Sequence, residues 1–210
     1  MNGVVFDFDG VLADSEPLSW NAWADVLAPC GVTIDDVDIL ACTGTTSRDT
    51  HAHFSKRATL PPYPDVLAAV DAHRRRAYAT DLEGFADAIE AVRALAMVGV
   101  PLAIASSSSR INLDMKLEAL DLGRYFDITV AGDEVASGKP APDLYQTAVE
   151  RLGIDASSSV AVEDTAVGAD SAAAAGLRTV IVNRMGLPTG SHTVVSEVDA
   201  DLLLLWLGRS

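Results

Sequence analysis

The string Val4-Val5-Phe6-Asp7-Phe8-Asp9-Gly10-Val11-Leu12 constrains this chain more than any other stretch. Three apolar residues run into an aspartate, a second aspartate stands two positions on, and a glycine follows. The apolar run reads as a buried strand bounded by a turn residue. Two carboxylates at the end of such a strand are costly to bury unless a metal ion, a lysine or a retained proton offsets their charge.

The rhythm of the remaining chain says what kind of sheet the strand joins. From residue 82 onward, strands and helices alternate. A helix over 85–98 ends at Gly99, and a strand covers 100–105. A helix over 111–120 aligns Leu113, Leu117 and Leu120 and stops at Gly123, and a strand follows at 128–131. A helix opens at Pro142 and ends at Gly153, then come a strand at 160–162, an alanine-rich helix over 167–175 ended by Gly176, and a strand at 179–182. Such alternation implies right-handed βαβ units, hence an α/β protein with a Rossmann-like parallel sheet covered by helices on both faces. Ligands of such sheets bind beyond the carboxyl ends of the strands.

Residues 15–81 break this rhythm. Trp20, Trp23, Ala24 and Leu27 recur at helical spacing, and Pro29 and Gly31 end that helix. A weaker helical stretch over 47–58 is closed by Pro61-Pro62-Tyr63-Pro64. Asp65 then opens a helix with Val66, Ala69, Val70 and His73 on one face. The expected organisation is a core of residues 1–14 and 82–210 with an all-helical insert at 15–81.

A chain of 210 residues, 49% of them hydrophobic, has enough apolar material for this core. Its formal net charge of −15 repels nucleic acid and anionic membranes, so any anion site must be locally positive. Cys30 and Cys42 do not suggest a disulfide framework. Asp7 and Asp9 interrupt the N-terminal apolar run, so no signal peptide is expected. The apolar run 202–207 is far shorter than the ~20 residues of a membrane span, and reads as a packed terminal helix. A cytoplasmic protein with no obligate protein partner is the expectation.

Four polar clusters fall at strand ends. Asp7 and Asp9 follow the first strand, and Ser106-Ser107-Ser108-Ser109 follows the second. Gly138-Lys139-Pro140 lies in the loop after the third, and Glu163-Asp164 follows the fourth. Together they suit phosphoryl transfer. A phosphomonoester carries about two negative charges, and Mg²⁺ is held by one or two carboxylates, phosphate oxygens and water. Asp7 and Asp164 suit that metal, with Glu163 in or near its surroundings. Lys139 can neutralise phosphoryl oxygens, while Ser106, Ser107 beside it and nearby backbone N–H groups donate to them. The serine run also opens a helix, whose N-terminus favours an anion. For Asp9 to protonate a leaving alkoxide, burial and neighbouring carboxylates must keep its proton near neutral pH.

Asp7-Phe8-Asp9-Gly10, Ser106, Lys139 and Glu163-Asp164 resemble, in order and context, the four motifs of the haloacid dehalogenase superfamily. Asp14-Ser15-Glu16, Gly138-Lys139-Pro140-Ala141-Pro142-Asp143 and Val162-Glu163-Asp164-Thr165 are similar to the branch of beta-phosphoglucomutases and small sugar-phosphate or phosphoglycolate phosphatases. The resemblance implies that residues 15–81 are a cap domain. It implies Asp7 as nucleophile and Mg²⁺ ligand, and Asp9 as general acid/base whose backbone carbonyl also meets the metal. Ser106 and Lys139 would hold the phosphoryl group, and Glu163 and Asp164 would complete the metal site. An aspartate at position 9 favours phosphate esters over carbon–halogen or carbon–phosphorus bonds. Arg48, in Gly44-Thr45-Thr46-Ser47-Arg48, resembles a cap arginine that binds a distal phosphate. Ser19 stands where the mutases carry a histidine. The expected activity is phosphatase action on a small phosphorylated metabolite, with a phosphomutase as the alternative.

Other features read as structural. His51 and His53 alternate on a helix and do not share a face. Arg74-Arg75-Arg76 reads as solvated helix charge, and Trp20 and Trp23 as packing within the insert. A signalling receiver domain would need adjacent acids after the first strand, whereas here they come late.

Overall fold

In a computed structural model of the protein, which describes residues 1–42, 45–184 and 186–208, the run Val4–Phe6 is strand β1, wholly buried. It lies at the centre of a parallel sheet that also holds β2 (Leu102–Ala105), β3 (Ile128–Val130), β4 (Val160–Glu163), β5 (Arg178–Val182) and β6 (Thr193–Val195). The order is β3-β2-β1-β4-β5-β6. The central strands carry apolar residues on both faces because helices cover both faces, the arrangement characteristic of parallel sheets. Chain order departs in both directions from β1, making its carboxyl end the switch point, the place where ligands of such sheets bind.

Register brings the strand ends level. Phe6 pairs with Ile104 on one side and Val162 on the other, so Asp7 emerges beside Ala105 and Glu163. The Asp7 N–H donates to the Val162 carbonyl at 2.9 Å. On one face Val5, Ala103, Ala105 and Ala161 pack with Leu144, Tyr145 and Ala148. The small alanines make room for the fully buried Tyr145 ring. The helices of this unit are α5 (Ala86–Met97), α6 (Arg110–Ala119), α7 (Asp143–Leu152), α8 (Ala166–Ala174) and α9 (Ala200–Trp206).

The chain divides into two compact units. One comprises Met1–Asp14 with Glu83–Ser210, the other Ser15–Leu82. Within the first, Ala13 forms an antiparallel bridge with Gly84, and the Phe85 N–H donates to the Leu12 carbonyl at 2.9 Å. The two points where the insert leaves and rejoins the sheet unit are therefore neighbours. Among the described residues the second unit is helical, with α1 (Glu16–Leu27), α2 (Asp36–Cys42), α3 (Ser47–Ser55) and α4 (Tyr63–Asp81). Its core gathers Trp23, Leu27, Phe54, Val66 and Val70, with Trp20 packed against them.

Several elements differ from expectation. Helix α4 starts at Tyr63, because Pro62 takes the N-cap position and Pro64 lies in the first turn, where a proline forfeits no helical hydrogen bond. Its inward face is Val66, Val70, Arg74 and Tyr78, not Val66, Ala69, Val70 and His73. Arg74 is therefore not a solvated charge. It is 7% exposed and donates to Ser19 Oγ from Nε (3.1 Å) and Nη2 (2.6 Å), and to Asp71 Oδ1 at 3.2 Å. Helix α2 and strand β6 were not expected. Val37 and Leu40 of α2 are exposed, and β6 is a half-exposed edge strand. Neither carries an apolar period to read.

Candidate active site

Asp7 lies where β1 ends, 6% exposed. Lys139, from the loop after β3, donates from Nζ to Asp7 Oδ1 at 2.6 Å and to Glu163 Oε1 at 2.5 Å. Tyr145 of α7 donates its hydroxyl to the same Glu163 oxygen at 2.7 Å. The other carboxyl oxygen of Glu163 accepts from the Asp164 N–H at 3.1 Å. Glu163 is thus occupied on both oxygens and acts as the anchor that aims Lys139 at Asp7.

Space for this anchor comes from glycine. A Cβ on Gly168, in the first turn of α8, would lie 2.0 Å from Glu163 Oε1 and 2.1 Å from its Cδ. A Cβ on Gly10 would lie 2.1 Å from Asp164 Oδ2, and Gly10 has a φ of +78°. Asp164 therefore rests against bare backbone of the loop after β1. Gly168→Ala should raise the helix propensity of α8 yet destabilise the protein by about 2 kcal/mol, because it drives the Glu163 carboxylate off its partners. Activity should fall by ~100-fold as Lys139 loses its aim. Thermal unfolding and turnover measured on one preparation check both. A stabilised, fully active variant would contradict this account of Glu163.

The electrostatics are those of too many carboxylates for one ammonium. Ligand oxygens of Asp7, Glu163 and Asp164 lie within 4.8 Å of one another. Burial pushes Asp7 up to about 7, against the pull of Lys139 and with help from Glu163. Burial and the charges of Asp7 and Glu163 push Asp164 up to about 9. Burial opposes ionisation of Glu163 too, but Lys139 and the Tyr145 hydroxyl hold it below the usual carboxylate range. Lys139 keeps its proton more tightly than an ordinary lysine despite burial, because Asp7 and Glu163 face it. A second cation beside Asp7 and Asp164 would relieve this excess of negative charge, and all-oxygen donors are what a hard ion such as Mg²⁺ takes. The residues fit that ion.

Asp9 stands apart from this cluster. Its Oδ2 accepts from Ser108 Oγ at 3.0 Å, and its Oδ1 contacts Lys116 Nζ. Lys116 also donates to Ser108 Oγ at 2.8 Å. The sequence led us to expect carboxylates and burial around Asp9. It meets an ammonium instead, and its side chain is 27% exposed. Among the described residues, its carboxylate is not in the group of Asp7, Glu163 and Asp164.

Ser106 follows β2 and is fully buried. Its N–H donates to the Val130 carbonyl at 3.0 Å, and its Oγ accepts from the Ser108 N–H at 3.1 Å. Ser107 is exposed, and Ser109 caps α6 by accepting from the Asn112 N–H. Arg48 lies in the helical unit on α3, its guanidinium 4.6 Å from the Tyr63 ring centre. Gly44 of the string that ends at Arg48 lies outside the described residues. His51 bonds the Pro61 carbonyl (3.0 Å) and His53 bonds Asp38 (2.8 Å), so their ring nitrogens serve different partners. Sequence reasoning missed Tyr145 and Lys116, both of which sit among apolar helix residues. An ionisable or hydroxylic side chain on an inward helix row was the available signal.

Against known proteins, residues 4–182 match the family model of haloacid dehalogenase-like hydrolases. The chain is 31% identical over 190 residues to fructose-1-phosphate phosphatase YqaB of Escherichia coli, covering 86% of this chain and 95% of that one. It is 32% identical over 192 residues to the chloroplastic protein Suppressor of Quenching 1 of Arabidopsis thaliana. That match covers 87% of this chain but 18% of the plant protein. In structure it is similar to CbbY from Rhodobacter sphaeroides in complex with phosphate. The TM-score is 0.87 with 26% identity, covering 99% of each chain.

Proposed function

Because the chain belongs to the haloacid dehalogenase-like hydrolases, we propose that it is a Mg²⁺-dependent phosphatase acting on a small phosphorylated metabolite, in particular a sugar phosphate, through an aspartyl-phosphate. One observation carries this reading. Asp7 stands at the carboxyl end of the central strand, bonded by a buried lysine and flanked by Glu163 and Asp164.

In the first step an Asp7 carboxylate oxygen attacks phosphorus, the ester P–O bond breaks, and the leaving alkoxide takes a proton from Asp9, which has to hold that proton beside the Lys116 ammonium. In the second, water attacks the same phosphorus while Asp9 accepts its proton. The bond from phosphorus to Asp7 breaks, and inorganic phosphate departs with Asp7 regenerated. Lys139 offsets charge on the phosphoryl oxygens, and Ser106, Ser107 and backbone N–H groups of the serine run donate to them. Asp7, Asp164 and the main-chain carbonyl of Asp9 would hold Mg²⁺, with Glu163 behind them. When bound, the ion supplies charge neutralisation between carboxylates and phosphate.

In this reading the helical unit is a cap that selects the alcohol part of the substrate, and Arg48 contacts it. The phosphatase is preferred over the mutase because the Ser19 hydroxyl, at the position of the mutase histidine, accepts from the buried Arg74. A cytoplasmic setting belongs to the same proposal. Among the described residues no helix is long and apolar enough to cross a membrane.

The test is a panel of phosphorylated sugars with Mg²⁺ that includes fructose 1-phosphate, which names the E. coli relative, and beta-glucose 1-phosphate. The expected result is stoichiometric phosphate release from at least one member. Conversion of beta-glucose 1-phosphate to glucose 6-phosphate without phosphate release would establish the mutase instead.

A further inference from the structure

Asp7 and Asp9 are two residues apart, yet each has its own buried lysine, delivered by a different element. Lys139 comes from the loop after β3. Lys116 comes from the middle of α6, where it is 2% exposed between Met115 and Leu117. Its ammonium contacts Asp9 Oδ1, donates to Ser108 Oγ at 2.8 Å and lies 5.1 Å from the Phe8 ring centre. Ser108 donates in turn to Asp9 Oδ2 at 3.0 Å. Both oxygens of Asp9 are thus held by two groups that also bond each other.

Packing does not call for this lysine. Helix α6 already buries Leu113, Met115 and Leu117, and a methionine would fill the same volume without the cost of desolvating an ammonium. Asp9 is 27% exposed, so water could serve its carboxylate. A buried charge retained where an apolar residue would fit points to a task for it. Lys116 and Ser108 direct the Asp9 carboxylate, and with it the distance of its oxygens from an ester oxygen.

We propose that Lys116 is a positioning residue for the leaving-group side of the reaction, fixing the Asp9 carboxylate in one orientation apart from Asp7, Glu163 and Asp164. The inference rests on the phosphatase reading, with Asp9 as the acid. Its signature is dependence on the leaving group. Phenyl phosphate needs a proton as its alcohol departs, whereas 4-nitrophenyl phosphate releases a stable anion.

Kinetics of wild type, Lys116→Met, Asp9→Asn and the double variant on these two esters decide the matter. Lys116→Met should lower kcat/KM, which reports only the step in which the leaving group departs, by ~100-fold on phenyl phosphate and by less than ~3-fold on 4-nitrophenyl phosphate. Asp9→Asn should discriminate in the same sense. Adding Lys116→Met to it should cost less than ~3-fold more, because both act on one step. Should Lys116→Met not fold, Lys116→Leu, which also removes the donor, gives the same ratio. If Asp9→Asn discriminates and Lys116→Met slows both esters equally, Lys116 is structural and the inference fails alone. If Asp9→Asn slows both esters equally, the assignment of Asp9 as acid fails and takes the inference with it.

Discussion

Asp7→Asn is expected to abolish phosphate release, with kcat down by ~10⁴-fold or more while the fold is retained. That loss corresponds to about 5 kcal/mol of transition-state stabilisation. An amide oxygen can still accept from Lys139 Nζ, which stands 2.6 Å from the Asp7 carboxylate, but it cannot form the aspartyl-phosphate. The substitution should not harm stability. Burial drives the proton affinity of Asp7 up, Glu163 and Asp9 add to that push, and an amide removes one negative charge from three crowded carboxylates. Lys139 remains paired with Glu163 at 2.5 Å. A melting temperature equal to or above that of wild type without metal, together with lost turnover, separates a chemical role from a structural one. Turnover within tenfold of wild type would remove Asp7 as nucleophile.

The same neighbourhood shows what a sequence can and cannot disclose. β1 was legible because a strand covered on both faces is apolar without interruption, and the aspartate that ends the run marks the sheet's edge. The parallel sheet followed from glycine-terminated helices alternating with such runs. Lys139 was legible because its position after a strand places it at the same edge. Lys116 was not, since burial of a charge is decided by its partner, and Asp9 is 107 residues away in sequence. Arg74 was misread for the same reason. Three arginines in a row look solvated until Ser19, 55 residues earlier, turns out to receive one of them. Tyr145 was not singled out: its ring is core, but its hydroxyl also sets the orientation of Glu163. Strand β6 has little buried surface, so it pairs by backbone bonds to β5 that no side-chain pattern announces. Patterns of apolar residues report layers. They do not report which polar groups those layers bring together.

Chelation of divalent metal is expected to reduce turnover by ~10³-fold or more, with full recovery on adding Mg²⁺, and to leave a pH signature in stability. Asp7 and Asp164 have folded-state values of about 7 and about 9 against an ordinary 3.8. Below pH 3.8 both states carry these protons, and the pair contributes nothing. As pH rises from there, the unfolded chain releases protons that the folded chain keeps. The unfolded state then binds fewer protons, so stability falls with pH and levels off above about 9. Groups held below their usual range, among them Asp38, Asp87, Glu134 and Glu163, act in the opposite sense. Their contribution is lost only as pH falls through that lower range, so between about 5 and 9 the raised pair dominates. Mg²⁺ binds the ionised carboxylates of the folded state and reverses the trend, contributing about 2.7 kcal/mol at a hundred times its Kd. Melting temperatures with chelator should therefore decline from pH 5 to pH 9, and the gain from Mg²⁺ should grow over the same range. In Asp164→Asn both the decline and the gain should shrink. A melting temperature at pH 8 that ignores Mg²⁺, or that rises with pH in chelator, would mean that Asp7 and Asp164 neither share their excess charge nor hold the ion.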